Sequence, residues 1–243
     1  MTSIHKRYIN LLFLFLLMSC QGKQEPYKVS YQVYGKLMEI MQQNQLQARV
    51  NIADLTLDAN SYGLGAMEGL KGEILISSGK VMTSLAYPDS VIMQNTNAVS
   101  AALLVTTKVA GWNSIEINFS ENMKGLEALI QSKAEGLNLD TNEVIPFKIE
   151  ALPKALNWHI INASLATEQN HQAYKESGRT GVLENEAVEI IGFYSKNHEG
   201  VFTHHGSFLH LHFITDNGEL TGHVDDLELS GNWKLELPKA EKP

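Results

Sequence analysis

The chain holds a single cysteine, Cys20, among 243 residues, so it cannot form an internal disulfide. Arginine is almost as scarce: Arg7, Arg49 and Arg179 are the whole complement. With a net charge of −8 and no basic stripe, the chain is not built to neutralise nucleic-acid phosphates. Its apolar run at Leu11–Met18 is too short to span a bilayer. There is no internal repeat and no low-complexity segment. What remains is ordinary for a globular protein, with 44% hydrophobic and 19% charged residues. The length suffices for one large or two small domains with a real core.

The N-terminus reads as a targeting segment. His5-Lys6-Arg7 supplies a positive end, the apolar run follows, and the segment stops at Leu17-Met18-Ser19-Cys20. This resembles a bacterial lipoprotein signal, in which cleavage before the cysteine leaves Cys20 to be lipidated. An ordinary signal peptide or N-terminal anchor is the alternative. Either reading puts the mature protein outside the cytoplasm, and the first makes it an exported lipoprotein, anchored to a membrane on the periplasmic or cell-surface side. The expected organisation is a leader over residues 1–20, a polar tether over 21–30 and one unit over 31–243. That unit divides at about 145/146 into an N-terminal and a C-terminal part.

Periodicity predicts an amphipathic helix from Val29 to about Gln47, carried by Val33, Leu37, Ile40 and Met41. Gly63 and Gly65 mark a turn or a close backbone approach. Glu73–Ile76 and Val81–Leu85 read as a hairpin around Ser77-Ser78-Gly79-Lys80. Further strands are expected at Ser100–Thr107, Ser114–Phe119, Pro146–Ile149 and Trp158–Ile161. Ser120-Glu121-Asn122 can cap a helix through Leu126, Leu129 and Ile130. The polar stretch Asn162–Thr180 reads as a linker or long surface loop. Strands at Glu186–Tyr194, Ser207–Thr215, Leu220–Leu229 and Trp233–Leu237 complete a mostly antiparallel C-terminal set. The fold class is α+β and strand-rich, with mixed or antiparallel sheets in two subdomains.

Chemistry concentrates near the C-terminus. His210 and His212 alternate on an expected strand and so share a face. His223 follows eleven residues after His212, past a turn at Asp216-Asn217-Gly218, and can close on that face. Three imidazoles with a coordination position left open are the usual shell of a catalytic zinc. Alternating histidines on a strand can equally be half-buried structural residues. Three histidines also suit manganese, nickel or iron, so the pattern does not select the metal.

Three stretches resemble the alpha-acetolactate decarboxylase family. The first is Gly63-x-Gly65 with Leu70-x-Gly72-Glu73 and Gly79. The second runs from Gly192-Phe193-Tyr194-Ser195 through Glu199-Gly200 to His210-Leu211-His212-Phe213. The third is Thr215-Asp216 with Gly222-His223-Val224. The resemblance covers residues 30–238 and implies a two-domain α/β protein, usually a dimer. It implies a zinc ion on His210, His212 and His223, with Glu73 as the active-site glutamate. The implied reaction takes CO2 from 2-acetolactate and yields acetoin. Loss of CO2 pushes an electron pair onto the neighbouring ketone, giving an enediolate that a Lewis acid stabilises. A carboxyl such as Glu73 can deliver the quenching proton, and no organic cofactor is required. Without the resemblance, Glu73 would read as an exposed strand carboxylate, and Glu68 as a solvated loop residue.

The chain departs from the family pattern in two places. The family carries an arginine in the strand after a segment like Pro146-Phe147-Lys148-Ile149; here His159 falls at or near that position. A histidine can hydrogen-bond a hydroxyl or carboxylate but is not a fixed bidentate cation. Losing one charge-assisted bond costs on the order of 2–3 kcal/mol. His159 is thus either a substitute for the arginine or a core-edge residue. The family also has a glutamate in a C-terminal extension, and Glu236 and Glu241 stand too early to replace it. His204 and His205, in the approach to His210, either supplement the site or are solvated loop residues, and the second reading is preferred. Besides acetolactate, the alternatives are another 2-hydroxy-3-oxo acid as substrate, or a non-catalytic metal- or ligand-binding lipoprotein. A cupin-like barrel is set aside because its second motif is not present in order.

Overall fold

The computed structural model describes residues 25–240. The leader, Cys20 and Glu241 lie outside the described residues. Two antiparallel sheets, packed face to face, form the body of the protein.

The first sheet comprises β1 (Tyr31–Tyr34), β2 (Val50–Asn51), β3 (Ser61–Met67), β4 (Glu73–Ser77), β5 (Lys80–Ala86), β6 (Val91–Asn95) and β7 (Ser100–Lys108). Their order is β1-β7-β3-β4-β5-β6, with β2 also on β7. The second comprises β8 (Trp112–Ile117), β9 (Glu121–Asn122), β10 (Ile145–Ala151), β11 (Ala155–Ile160), β12 (Arg179–Leu183), β13 (Val188–Tyr194), β14 (Leu209–Thr215), β15 (Thr221–Leu229) and β16 (Trp233–Pro238). Their order is β12-β11-β15-β14-β13-β10-β16-β8, with β9 on β15. Helix α1 spans Leu37–Gln43, α2 Met123–Gly136 and α3 His171–Glu176.

The α+β class and the two sheets agree with the sequence reading; the second sheet begins earlier in the chain than the expected division at about 145/146. The chain leaves the first sheet after Lys108, well before 145. Trp112–Ile117 pairs along the whole of β16, a long-range partner that local pattern does not reveal. The expected helix over Val29–Gln47 is also shorter. Val33 pairs with Val105 in β1, and Gly35 turns the chain with φ of +77° before α1 begins. A side chain at Gly35 would meet the Ala102 carbonyl 2.2 Å away, so the turn is fixed by packing as well as by φ. Residues 25–30 are not a loose tether. Tyr27 exchanges backbone hydrogen bonds with Asn138 and Asp140, and Val29 is buried.

Helix α2 starts as its sequence requires. The Asn122 side chain caps it by accepting from Gly125 N–H at 3.0 Å. Leu126, Ile130 and Ala134, four apart, are fully buried with the core that covers the outer face of the second sheet. Each large apolar side chain so buried contributes roughly 1.5–3 kcal/mol. The stretch 162–180 is no linker. It holds α3, whose Tyr174 is buried in the cluster of Leu37 and Ile40 and bonds Asn44 through its hydroxyl.

The two sheets meet with β4 across β14 and β15. Strand alternation then decides what each presents. Ile74 and Ile76 join the core on the far side of the first sheet, while Glu73 reaches Ile161 and Ser77 reaches Glu189 across the gap.

Candidate active site

Cross-strand pairing lines up one row of residues on the inner face of the second sheet. His159 stands opposite His223, His223 opposite His212, and His212 opposite Ile191. Ile191 stands opposite Lys148, Lys148 opposite Glu236, and Glu236 opposite Ser114. The row therefore has two polar ends with Ile191 between them. Strand alternation adds His210, two residues from His212, to the histidine end.

His210, His212 and His223 are buried, and one ring nitrogen from each lies within 4.8 Å of the others. Their ring centroids are 5.0–5.4 Å apart. Burial holds all three imidazoles in the neutral form. It lowers His212 to about 3, with the neighbouring His159 adding to the shift and the Ile74 backbone opposing it. His210 and His223 are also held well below the ordinary range, first by burial and then by the other histidines. His210 Nδ1 and both ring nitrogens of His212 lack a hydrogen-bond partner of good geometry. Buried, neutral and unpartnered nitrogens converging on one point are what a divalent ion requires, so the residues fit a metal.

Glu73 comes from the opposite sheet. Its Oε1 accepts from Ile161 N–H at 3.0 Å, and its Oε2 lies 3.7 Å from His212 Nε2. Burial pushes the carboxyl up to about 7, against the pull of His159 and of the Ile161 N–H, with the Asp225 charge adding to the rise. Glu73 is thus not the exposed strand carboxylate that isolated sequence would suggest. Glu68, by contrast, is exposed and accepts from Ala48 N–H at 3.3 Å.

These groups surround a cavity of about 50 Å³. Glu73, His159, His204, His210 and His223 supply its polar wall, and Leu37, Ile40, Leu70, Ile161 and Phe202 part of its apolar one. His159 sits in the site beside His223, with ring centroids 4.6 Å apart. His204 corrects the sequence reading. Its ring stacks edge-on 5.5 Å from that of His223 and lines the cavity, whereas His205 is exposed and paired with Glu199. Asp225, which sequence reasoning passed over, accepts from His159 Nδ1 at 2.9 Å.

Neither arginine among the described residues enters the cavity. Arg49 binds Glu39 and Gln45, and Arg179 binds the Pro88 carbonyl. Glu236 lies at the far end of the row, where Lys148 Nζ approaches to 2.5 Å and Ser114 donates at 2.8 Å.

The alpha-acetolactate decarboxylase family model matches residues 31–242. The chain belongs to the alpha-acetolactate decarboxylase family. No curated protein matches it in sequence. Among solved structures, alpha-acetolactate decarboxylase from Bacillus subtilis strain 168 superposes with a TM-score of 0.70 at 16% identity, covering 87% of this chain and 86% of that one. A Staphylococcus aureus protein described as of unknown function and similar to alpha-acetolactate decarboxylase gives 0.68 at 19% identity, covering 87% and 86%. Acetolactate decarboxylase from Bacillus subtilis subspecies spizizenii gives 0.67 at 18%, covering 86% of each chain. These similarities show a shared two-sheet fold. The chain is an enzyme of the acetolactate decarboxylase family with a histidine-rich candidate metal site.

Proposed function

We propose that this protein decarboxylates 2-acetolactate to acetoin and CO2 with a zinc ion on His210, His212 and His223. The observation that carries the reading is the buried carboxyl of Glu73, from one sheet, beside three neutral, converging imidazoles from the other, with Glu73, His210 and His223 lining one cavity. A bound divalent ion supplies Lewis-acid stabilisation of the charge that develops when CO2 departs. The apolar wall of Leu70, Ile161 and Phe202 excludes water, which strengthens every charge interaction inside. Glu73, poised near neutrality, holds the proton that replaces the departing carboxyl group. His159 takes the arginine's place at the wall and orients the polar end of the substrate through a ring nitrogen.

The missing arginine favours a second substrate. Without a fixed guanidinium, the cavity is suited to another 2-hydroxy-3-oxo acid whose carboxylate needs less anchoring. One experiment separates the two: metal content and CO2 release from racemic acetolactate, measured on the full chain beside His212→Ala. About one equivalent of zinc with metal-dependent acetoin formation supports the first reading. Bound zinc without turnover moves the reaction to the second substrate class.

The location follows from the leader. We propose lipidation at Cys20 and export to a membrane face, with the catalytic unit at 31–243 as a homodimer. Radiolabelled palmitate should enter the full chain and be absent from Cys20→Ser; equal labelling of both sinks the anchor.

A further inference from the structure

Strand β15 breaks its own alternation beside the site. Val224 and Leu227 are both buried in the same core cluster, three residues apart, where a regular strand requires an even spacing. The pairing with β11 shows why. Asn157 stands opposite Asp226 and Trp158 opposite Val224, so the ladder register passes over Asp225. It is the additional residue of a β-bulge, a device that re-aims a side chain. Here its carboxylate turns toward His159 rather than continuing along the ladder, and accepts from Nδ1 at 2.9 Å. About a quarter of the Asp225 side-chain surface (26%) stays exposed, against 9% for His159.

An ionised carboxylate only accepts. The proton in this contact therefore belongs to Nδ1, and Nε2 is left as the ring nitrogen available to a ligand in the cavity that His159 lines. We propose that Asp225 is a positioning residue that fixes His159 in the Nδ1–H form, so that Nε2 accepts a hydrogen bond from a substrate hydroxyl. The inference rests on the cavity being the substrate site. It makes the Asp225–His159 pair the local answer to the absent arginine: a ring nitrogen that accepts from a hydroxyl where a guanidinium would donate to an anion.

Two readouts test it on the zinc-loaded full chain. The first is the ¹⁵N spectrum of the His159 ring, which distinguishes the Nδ1–H from the Nε2–H form. The Nδ1–H form is expected in the unchanged protein and in Asp225→Asn, whose amide oxygen still accepts; Asp225→Ala should show substantial Nε2–H. A ring already in the Nε2–H form, or one indifferent to Asp225→Ala, overturns the proposal. The second is kinetic, with racemic acetolactate. Asp225→Ala should lower kcat/KM about tenfold, mainly through KM, and Asp225→Asn should recover most of it. Asp225→Ala should add nothing in a His159→Ala background. Equal losses in both backgrounds overturn the proposal. So does loss of zinc from Asp225→Ala, because His159, His223 and Asp225 also lie close enough together to ligate an ion. If the unchanged protein does not turn over acetolactate, that substrate assignment fails, and the ring spectrum still decides the role of Asp225.

Discussion

Glu73 and His212 come from opposite sheets, and their Oε2 and Nε2 atoms lie 3.7 Å apart. The site therefore exists only when the sheets are packed. Tertiary stability and metal affinity are coupled, because the unfolded chain offers no preformed set of ligands. Zinc at a hundredfold excess over its Kd should stabilise the protein by about 2.7 kcal/mol. For a unit of this size that corresponds to a rise of about 5–10 °C in Tm. The rise should vanish on chelation and be lost in His212→Ala. Calorimetry with and without zinc makes the comparison.

Glu73→Gln keeps the size of the side chain and an oxygen for the Ile161 N–H. It should retain zinc and fold normally, yet lose about 10²–10⁴-fold in kcat, the usual contribution of a positioned proton donor. Acetoin formation together with metal analysis separates this from a binding defect. Normal turnover in the variant would remove Glu73 from the chemistry.

Acid and base press on this cluster with opposite signs. The three imidazoles have folded-state pKa values depressed below the unfolded value of 6.5. Below that pH the unfolded chain binds protons that the metal-free fold refuses, so stability should fall as pH drops from 6.5. Glu73 is raised from 4.5 to about 7, so the fold holds a proton that the unfolded chain has released. Its contribution is complete below 4.5 and is lost as pH rises through 7. The difference between those values corresponds to about 3–4 kcal/mol at most. Metal-free Glu73→Gln should thus gain on the unchanged protein between acid and mildly alkaline pH. Denaturant midpoints at pH 5 and pH 8 give the sign directly.

The histidine end of the site was legible because two ordinary strands and a glycine-bearing turn bring His210, His212 and His223 together through local pairing. Glu73 was legible only through family resemblance, since nothing in its own strand says which sheet will cover it. Asp225 was hidden by its bulge: alternation is the signal a reader uses, and the bulge consists in breaking it. The β3 strand was hidden too. Gly63 and Gly65 weaken strand propensity, yet both sit where β7 comes closest. The close approach was readable, whereas the strand that makes it depends on a partner some forty residues on.

That close approach is testable at Gly65. A Cβ there would meet the Leu103 carbonyl at 2.0 Å, a backbone atom that cannot swing aside. Gly65→Ala should destabilise the protein by about 1–3 kcal/mol through overpacking. Because Gly65 also lines the cavity, displacement of β3 from β7 should reach the site. Urea midpoints with zinc affinity measure both effects, and an unchanged midpoint would mean that the two strands can separate at little cost.

The opposite end of the row makes a contrasting prediction. Lys148 Nζ lies over the Trp112 ring at 5.1 Å and against Glu236, with both charged side chains largely buried at 13% and 10% exposure. Burial alone would raise Glu236, but Lys148 and Ser114 hold it below the usual carboxylate range. Removing one partner strands the other charge between the sheets. Lys148→Met should therefore cost about 3 kcal/mol, whereas the double replacement Lys148→Met with Glu236→Leu should recover most of that loss. Neither should change zinc content, because Ile191 separates this pair from His212 along the row. Denaturant melts of the single and double variants, with metal analysis of each, decide whether the pair serves the packing of the sheets alone.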